Sequence, residues 1–264
     1  MDEPGIDSEI AGIQSVERTI RIIEIIKDRD GATLSEITKK LDLTKGSIHK
    51  HLATLRQNDF VVKEAEQYRL GFRFLDIGGY LRHQYPGSTL IKPKIQELAN
   101  KTNEIGLFTV EDQGKSVTLF RELGETGVLT QSRVGKSFYL HQVSTGKAIL
   151  SAMNDEEVRR IIDLYGLPAA TEDTITSENE LFEQLDRIRD RRYSVSRSES
   201  TPGVRAIGAP VVPKESVIGA CAIAGPAHRM EGDRLSEELP DVLLSIVNEL
   251  ELNIAHSDTE LDFR

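Results

Sequence analysis

Two short capped segments separated by a two-residue turn constrain this chain more than any other feature. Thr33-Leu-Ser-Glu36 sets a hydroxyl and a carboxylate three residues apart, the spacing at which each satisfies an orphan amide at a helix start. Leu34, Ile37 and Leu41 follow at helical spacing, so a short helix runs to Leu41. Asp42-Leu43 makes a tight turn, and Thr44 caps a second helix from Lys45 to Gln57. Ile48, Leu52 and Leu55 form the buried stripe of that helix, and its opposite face offers Lys45, Gly46, Ser47, His49, Lys50 and Ala53.

The flanking segments complete a unit. Upstream, Ser15 is read as the N-cap of a helix reaching Lys27, with Val16, Ile20, Ile23 and Ile26 or Lys27 as its apolar stripe and Gly31 ending it. Downstream, Phe60–Lys63 and Gln67–Leu70 read as strands bracketing Glu64-Ala-Glu66, a hairpin directly after the last helix. Three helices and a hairpin in this order predict a winged helix-turn-helix, with the helix from Lys45 as the element that enters a DNA groove. Gly46 and Ser47 allow close approach, and the helix N-terminus favours phosphate. The expected DNA contacts are Lys39, Thr44, Lys45, Gly46, Ser47, His49, Lys50 and, on the second wing strand, Arg69.

A formal net charge of −10 argues against a DNA binder until it is divided along the chain. Residues 15–82 carry 13 Lys and Arg against 10 Asp and Glu, whereas residues 1–14 carry four acids and no base. Between Lys39 and Gln57 there are five basic residues and one acid, Asp42. The positive charge therefore sits where a phosphate footprint is needed, and the acidic remainder limits non-specific adhesion.

The rest of the chain reads as a mixed domain. Residues 72–86 (Phe72, Phe74, Leu75, Ile77, Leu81) predict a linker helix weakened by Gly78-Gly79 and closed by Pro86-Gly87. Helices are expected over Leu90–Thr102, Asp155–Tyr165, Glu178–Arg192 and Leu235–Ala255. Strands are expected over Ile105–Val110, Val117–Leu123, Tyr193–Ser198, Arg205–Val212 and Val217–Ala224. This pattern predicts an α+β fold, an antiparallel sheet with helices packed on it. The domain boundaries expected are 1–14 for an acidic tail, 15–71 for the winged unit, 72–86 for the linker helix, 87–257 for a second domain and 258–264 for a C-terminal tail.

Catalytic readings fail on spacing. Gly135-Lys-Ser137 and Gly146-Lys-Ala148 lack the upstream glycine of a phosphate loop, since Thr130 and His141 occupy that position. No Gly-x-Ser-x-Gly elbow is present. The histidines are scattered, and His49 and His51 point apart on one helix, so neither a metal site nor a cofactor is expected. The single cysteine, Cys221, reads as a small buried apolar residue. The longest charge-free apolar stretch, 217–227, is too short to span a bilayer, and no signal peptide opens the sequence, so a cytoplasmic location is expected.

Taken together, Ser15-Val-Glu-Arg, Leu43-Thr-Lys-Gly-Ser-Ile-His-Lys-His-Leu-Ala-Thr-Leu55, Tyr68-Arg-Leu-Gly71, Ser132-Arg-Val-Gly-Lys136, Gly146-Lys-Ala148, Pro202-Gly-Val-Arg205 and Gly225-Pro226 resemble the IclR family of bacterial and archaeal regulators over residues 15–256. The resemblance implies a C-terminal effector domain of GAF- or profilin-like fold that binds a small metabolite. It also implies a homodimer or homotetramer on a partly palindromic duplex operator. Carried over by position, the family's effector contacts become Ser144, Thr145, Gly146, Ser196, Arg197, Ala206, Ala222 and Ala224, with Thr130 and Phe138 completing the wall. Where relatives that take small carboxylic acids carry an acid, Cys and two Ser, this chain has Ser or Arg, Ala, Ala and Ala. An anionic ligand is therefore expected, its carboxylate on Arg197 and on amides or hydroxyls near Ser144–Gly146, its apolar body against the alanines. The bland alternative leaves Arg197 in solvent or paired with Glu199. The competing reading of the whole chain is an architectural DNA-binding protein whose C-terminal domain only oligomerises.

Overall fold

The structure, a computed structural model, describes residues 12–127 and 132–257. Internal contacts divide the chain into two compact units, with the boundary between Gln84 and Tyr85.

In the first unit, α1 (Gln14–Asp28), α2 (Leu34–Leu41) and α3 (Lys45–Gln57) are followed by β2 (Val61–Glu64), β3 (Gln67–Leu70) and α4 (Arg73–Gln84). A two-residue strand β1 (Ala32–Thr33) precedes α2 and pairs antiparallel with β3, giving a three-stranded sheet in the order β1-β3-β2. Sequence periodicity has no purchase on so short a strand. Thr33 and Glu36 form the expected capping box, and the Ser47 amide donates to Thr44 Oγ1 at 3.2 Å. Ile37 from α2, Ile48, Leu52 and Leu55 from α3, and Val61 and Tyr68 from the hairpin close one core.

The first helix departs from expectation. It begins at Gln14 with Ile13 at the cap position, so Ser15 lies inside the first turn and caps nothing. The face it buries is Ile22, Ile25 and Ile26, while Val16 and Ile20 remain about half exposed. The segment is apolar on two sides, and periodicity does not say which side meets α2 and α3; packing does.

In the second unit, α5 (Ser88–Thr102) leads into β4 (Ile105–Asp112), β5 (Lys115–Leu123) and β6 (Ser137–Tyr139). Three helices follow, α6 (Ser144–Ala152), α7 (Asp155–Tyr165) and α8 (Glu178–Arg191), then β7 (Ser194–Arg197), β8 (Val204–Val211), β9 (Gly219–Pro226) and α9 (Leu239–Ala255). The six strands form one antiparallel sheet in the order β6-β5-β4-β9-β8-β7. Alternation along the strands separates two faces. Phe108, Ile207, Cys221 and Ile223 pack against Ile91, Ile95 and Leu98 of α5 and Leu243, Ile246 and Leu250 of α9. The intervening residues Leu107, Ala206, Ala222 and Ala224 form a separate small cluster on the other face. Burial pushes the Cys221 thiol up, away from any nucleophilic role.

In this second unit two elements, the strand β6 and the helix α6, lie outside the sequence-based expectation. Eight of the nine α6 residues are buried, so it carries no polar stripe by which a surface helix is recognised. The last helix was expected from Leu235, but residues Arg234–Glu238 form a wider π turn before α9. Pro240 lies in the first turn of α9, where a regular helix would drive its ring against the carbonyl four residues back.

Candidate DNA-binding face and effector cavity

On α3, packing turns Ile48, Leu52 and Leu55 inward and leaves Lys45, Gly46, His49 and Lys50 exposed; Thr44 and Lys39 are exposed as well. Ser47 is half-buried, toward a groove that Ser15, Val16 and Thr19 of α1 share with Lys50 and His51. Thr19 Oγ1 donates to the Ser15 carbonyl at 2.8 Å and so accepts from His51 Nδ1, also at 2.8 Å, pinning α1 to α3. Among the described residues no carboxylate lies within ion-pair range of Lys39, Lys45 or Lys50, so their charges face outward uncompensated. Arg69 differs. Its guanidinium lies 3.2 Å from Glu64 and 3.6 Å from Asp30, and the wing turn beside it carries exposed Glu64 and Glu66. The positive surface therefore belongs to α2 and α3, and the wing tip is acidic.

In the second unit a cavity opens on the alanine-bearing face of the sheet, with about 60 Å³ of space open to water. At roughly 10–15 Å³ of such space per water it has room for about four to six waters, the size of a compact metabolite. Leu107 and Thr109 of β4 and Ser116 and Thr118 of β5 line one side. Val143, Ser144 and Thr145 close it at the start of α6, and Ser196, Ala206 and Ala224 come from β7, β8 and β9. Phe138, Ser132, Ser200, Thr201 and Val204 complete the wall. None of these side chains is charged. Ser116 Oγ bonds Thr109 Oγ1 at 3.2 Å and lies 3.3 Å from Thr145 Oγ1, so three hydroxyls form a connected polar floor. Val143 offers no side-chain cap to α6, and the first intrahelical bond is made by the Lys147 amide to the Val143 carbonyl. The amides of Ser144, Thr145 and Gly146 are thus left without intrahelical partners, the positive end of a helix.

Of the effector contacts expected from the family, the structure brings Phe138, Ser144, Thr145, Ser196, Ala206 and Ala224 together around this cavity. Thr130 lies outside the described residues. Gly146 and Ala222 are not among the lining residues. A Cβ on Gly146 would stand 2.1 Å from the Leu140 carbonyl oxygen, so glycine there lets α6 approach the preceding turn. Ala222 is buried in the small apolar cluster behind the wall. Arg197 is corrected: its side chain is exposed and does not line the cavity, because it ends β7 on the sheet's outer strand.

Glu199, named as a partner for Arg197, pairs instead with Lys147. Lys147 Nζ lies 2.8 and 2.6 Å from the two Glu199 oxygens, 2.9 Å from the Val195 carbonyl and 3.2 Å from Gln184 Oε1. Lys147 is fully buried, and burial lowers its pKa and raises that of Glu199, each opposed by the other's charge. The Arg197 amide also donates to Glu199 Oε1 at 3.2 Å, while the Glu199 carbonyl accepts from Thr174 Oγ1 at 2.6 Å. The pair ties α6, which carries Ser144 and Thr145, to β7 and to the turn that carries Ser200 and Thr201. Sequence reasoning missed this pair, and also missed Thr109, Ser116 and Thr118. The legible signal for the last two was small hydroxyl residues alternating with apolar ones along Lys115–Leu119. Among the described residues no cluster of metal ligands is present, and no helix is long and apolar enough to cross a membrane.

Comparisons with known proteins agree with both halves of this arrangement. Residues 15–65 match the IclR helix-turn-helix domain, and residues 87–250 match the Bacterial transcriptional regulator IclR C-terminal family. ArcR of Halobacterium salinarum, described as a probable HTH-type transcriptional regulator, is 31% identical over 247 residues, which cover 92% of this chain and 94% of that one. The IclR structure of Thermotoga maritima superposes with a TM-score of 0.76 at 22% identity, covering 93% of this chain and 100% of the other. An IclR homolog of Microbacterium hydrocarbonoxydans, complexed with 4-hydroxybenzoate, superposes with a TM-score of 0.74 at 19% identity, covering 92% and 100%. With an outward basic helix on a winged N-terminal unit, a hydroxyl-lined cavity in the C-terminal one and family matches to each, the chain belongs to the IclR family of transcription regulators, DNA-binding proteins that carry a C-terminal effector-binding domain.

Proposed function

We propose that this regulator acts in the cytoplasm on a partly palindromic duplex operator, that Lys39, Thr44, Lys45, Gly46, Ser47, His49 and Lys50 supply the DNA contacts, and that a small organic acid in the cavity sets its affinity. The observation that carries the effector reading is the cavity itself, neutral and hydroxyl-lined, with Ser144 and Thr145, whose amides have no intrahelical partner, at its edge. Helix N-termini and hydroxyls favour a carboxylate, and Leu107, Phe138 and the alanines accept an apolar body. The 4-hydroxybenzoate complex of the Microbacterium protein supports this ligand class. A ligand changes operator affinity only by binding two arrangements of the regulator unequally.

The test is a thermal-shift screen of small organic acids followed by operator titration with and without the best ligand. Ala206→Leu adds three carbons inside the cavity; it is expected to melt as a folded protein and to lose both the ligand-induced melting shift and the operator response. An unchanged response in that variant removes the cavity from the effector path. Operator binding that no metabolite alters favours the architectural reading instead.

A homodimer or homotetramer is part of the same proposal. Phe72, Leu75, Tyr80 and Leu81, on or beside α4, are each more than 60% exposed, and no α4 residue is buried. Large apolar side chains left exposed together on and beside one short helix mark protein contacts. Two recognition helices held one duplex turn apart, about 34–36 Å, would read a palindrome. Leu75→Asp/Leu81→Asp is expected to halve the mass seen by sedimentation and to abolish specific operator retention; full-size particles with intact DNA binding would place the contact elsewhere.

A further inference from the structure

The cavity wall is neutral, yet a cation stands directly behind it. Arg121 on β5 is the cross-strand neighbour of Leu107, which lines the cavity. Side chains opposite one another on an antiparallel pair share a face, so Arg121 projects to the cavity side of the sheet. Its Nε donates to Ser132 Oγ at 3.3 Å, and Ser132 is itself a lining residue. The Arg121 Nη2 atom is buried and, among the described residues, has no hydrogen-bond partner. Among the described residues no carboxylate lies within ion-pair range of this guanidinium. A buried donor on a permanent cation is costly to leave unmade, and native structures rarely leave one without a reason. An acceptor missing from the protein but supplied by a ligand is such a reason, and a carboxylate matches a guanidinium best.

We propose that Arg121 is the counter-ion of the effector's carboxylate, with its unpartnered Nη2 donating to a carboxylate oxygen when a small organic acid occupies the cavity. The proposal rests on the reading of this cavity as the effector site, and it names the residue that selects an acid over a neutral isostere. The α6 amides then hold the second oxygen, and Arg197 takes no part. With the cavity empty, the buried nitrogen is a fault in the fold. Its removal therefore relieves the free protein while it cripples the bound one.

The experiment uses the full chain and five probes, propionate, lactate, butyrate, benzoate and 4-hydroxybenzoate, each beside its primary amide. At least one acid is expected to raise the melting temperature of the wild type where its amide does not. Arg121→Met is expected to weaken that acid about 10- to 100-fold by calorimetry, to leave any weak binding of the amide as it was, and to melt no lower than the wild type when free. The proposal is overturned if Arg121→Met binds the acid as tightly as the wild type, if it loses acid and amide alike, if the free variant melts lower, or if no acid shifts the wild type. The filled variant Ala206→Leu separates the two readings. An acid that still binds it overturns the cavity assignment itself. An acid that needs the open cavity but ignores Arg121 overturns the counter-ion alone.

Discussion

Lys147→Met is expected to lower the melting temperature of this protein by roughly 6–20 °C. Removing one partner of a buried ion pair costs about 3–5 kcal/mol, and a domain of this size loses about 2–4 °C per kcal/mol. The physical cause is the carboxylate left behind. Glu199 is buried, and with Lys147 gone it keeps only the Arg197 amide and the more distant charge of the exposed Arg197 side chain. Burial already holds the Glu199 pKa above its ordinary value. A group whose folded pKa is raised contributes most below its unfolded pKa and loses that contribution as pH rises through the folded value. The deficit of Lys147→Met therefore shrinks as the solution is made acidic and widens as pH rises from the ordinary carboxylate range toward the raised folded value. Lys147→Met/Glu199→Leu replaces both charges and recovers much of the loss, because the desolvation of two ions disappears with them. Melting curves across pH for the single and double variants check this. A single variant as stable as the wild type at neutral pH would mean that the pair contributes nothing beyond packing.

Lys45→Ala/Lys50→Ala is expected to weaken operator binding about 100-fold or more, at about 1.5 kcal/mol or more for each charge-assisted bond. It should also flatten the dependence of log affinity on log salt by about 1.8, since each phosphate contact contributes about 0.9 to the slope. Both lysines are exposed on α3 with no carboxylate in ion-pair range among the described residues, so their full charge is available to phosphate. Arg69→Ala serves as the contrast. Arg69 is engaged by Glu64 and Asp30, beside the acidic wing turn, so its removal should move the slope by well under the roughly 0.9 of one full phosphate contact. Titrations at several salt concentrations on one operator decide it. An unchanged slope in the double variant would mean that α3 does not lie against the duplex.

These two regions were legible to different degrees. The caps of α2 and α3 are local chemistry between residues three apart, so the chain alone specifies them, and with them the bounds of the helix-turn-helix. The face of α1 that is buried was not legible, since Val16 and Ile20 are as apolar as Ile22 and Ile26. In the second unit the strand and helix order was readable from alternation and periodicity, but α6 was hidden by being buried on all sides.

The cavity divides along the same line. Family resemblance pointed to Ser144, Thr145, Ser196, Ala206 and Ala224 by position, and the fold gathers them from α6, β7, β8 and β9. It also pointed to Arg197 as the charged group, and there the tertiary structure decided otherwise. Arg197 ends the outer strand in solvent, while Lys147 and Glu199, 52 positions apart, are buried together. Residues that act through neighbours in sequence, such as caps, turns and helical stripes, are set by the chain itself, because their energies depend on backbone geometry of a few residues. Which ionisable group meets which, and which hydroxyls share one wall, depends on strands paired at long range, and only the closed sheet settles that.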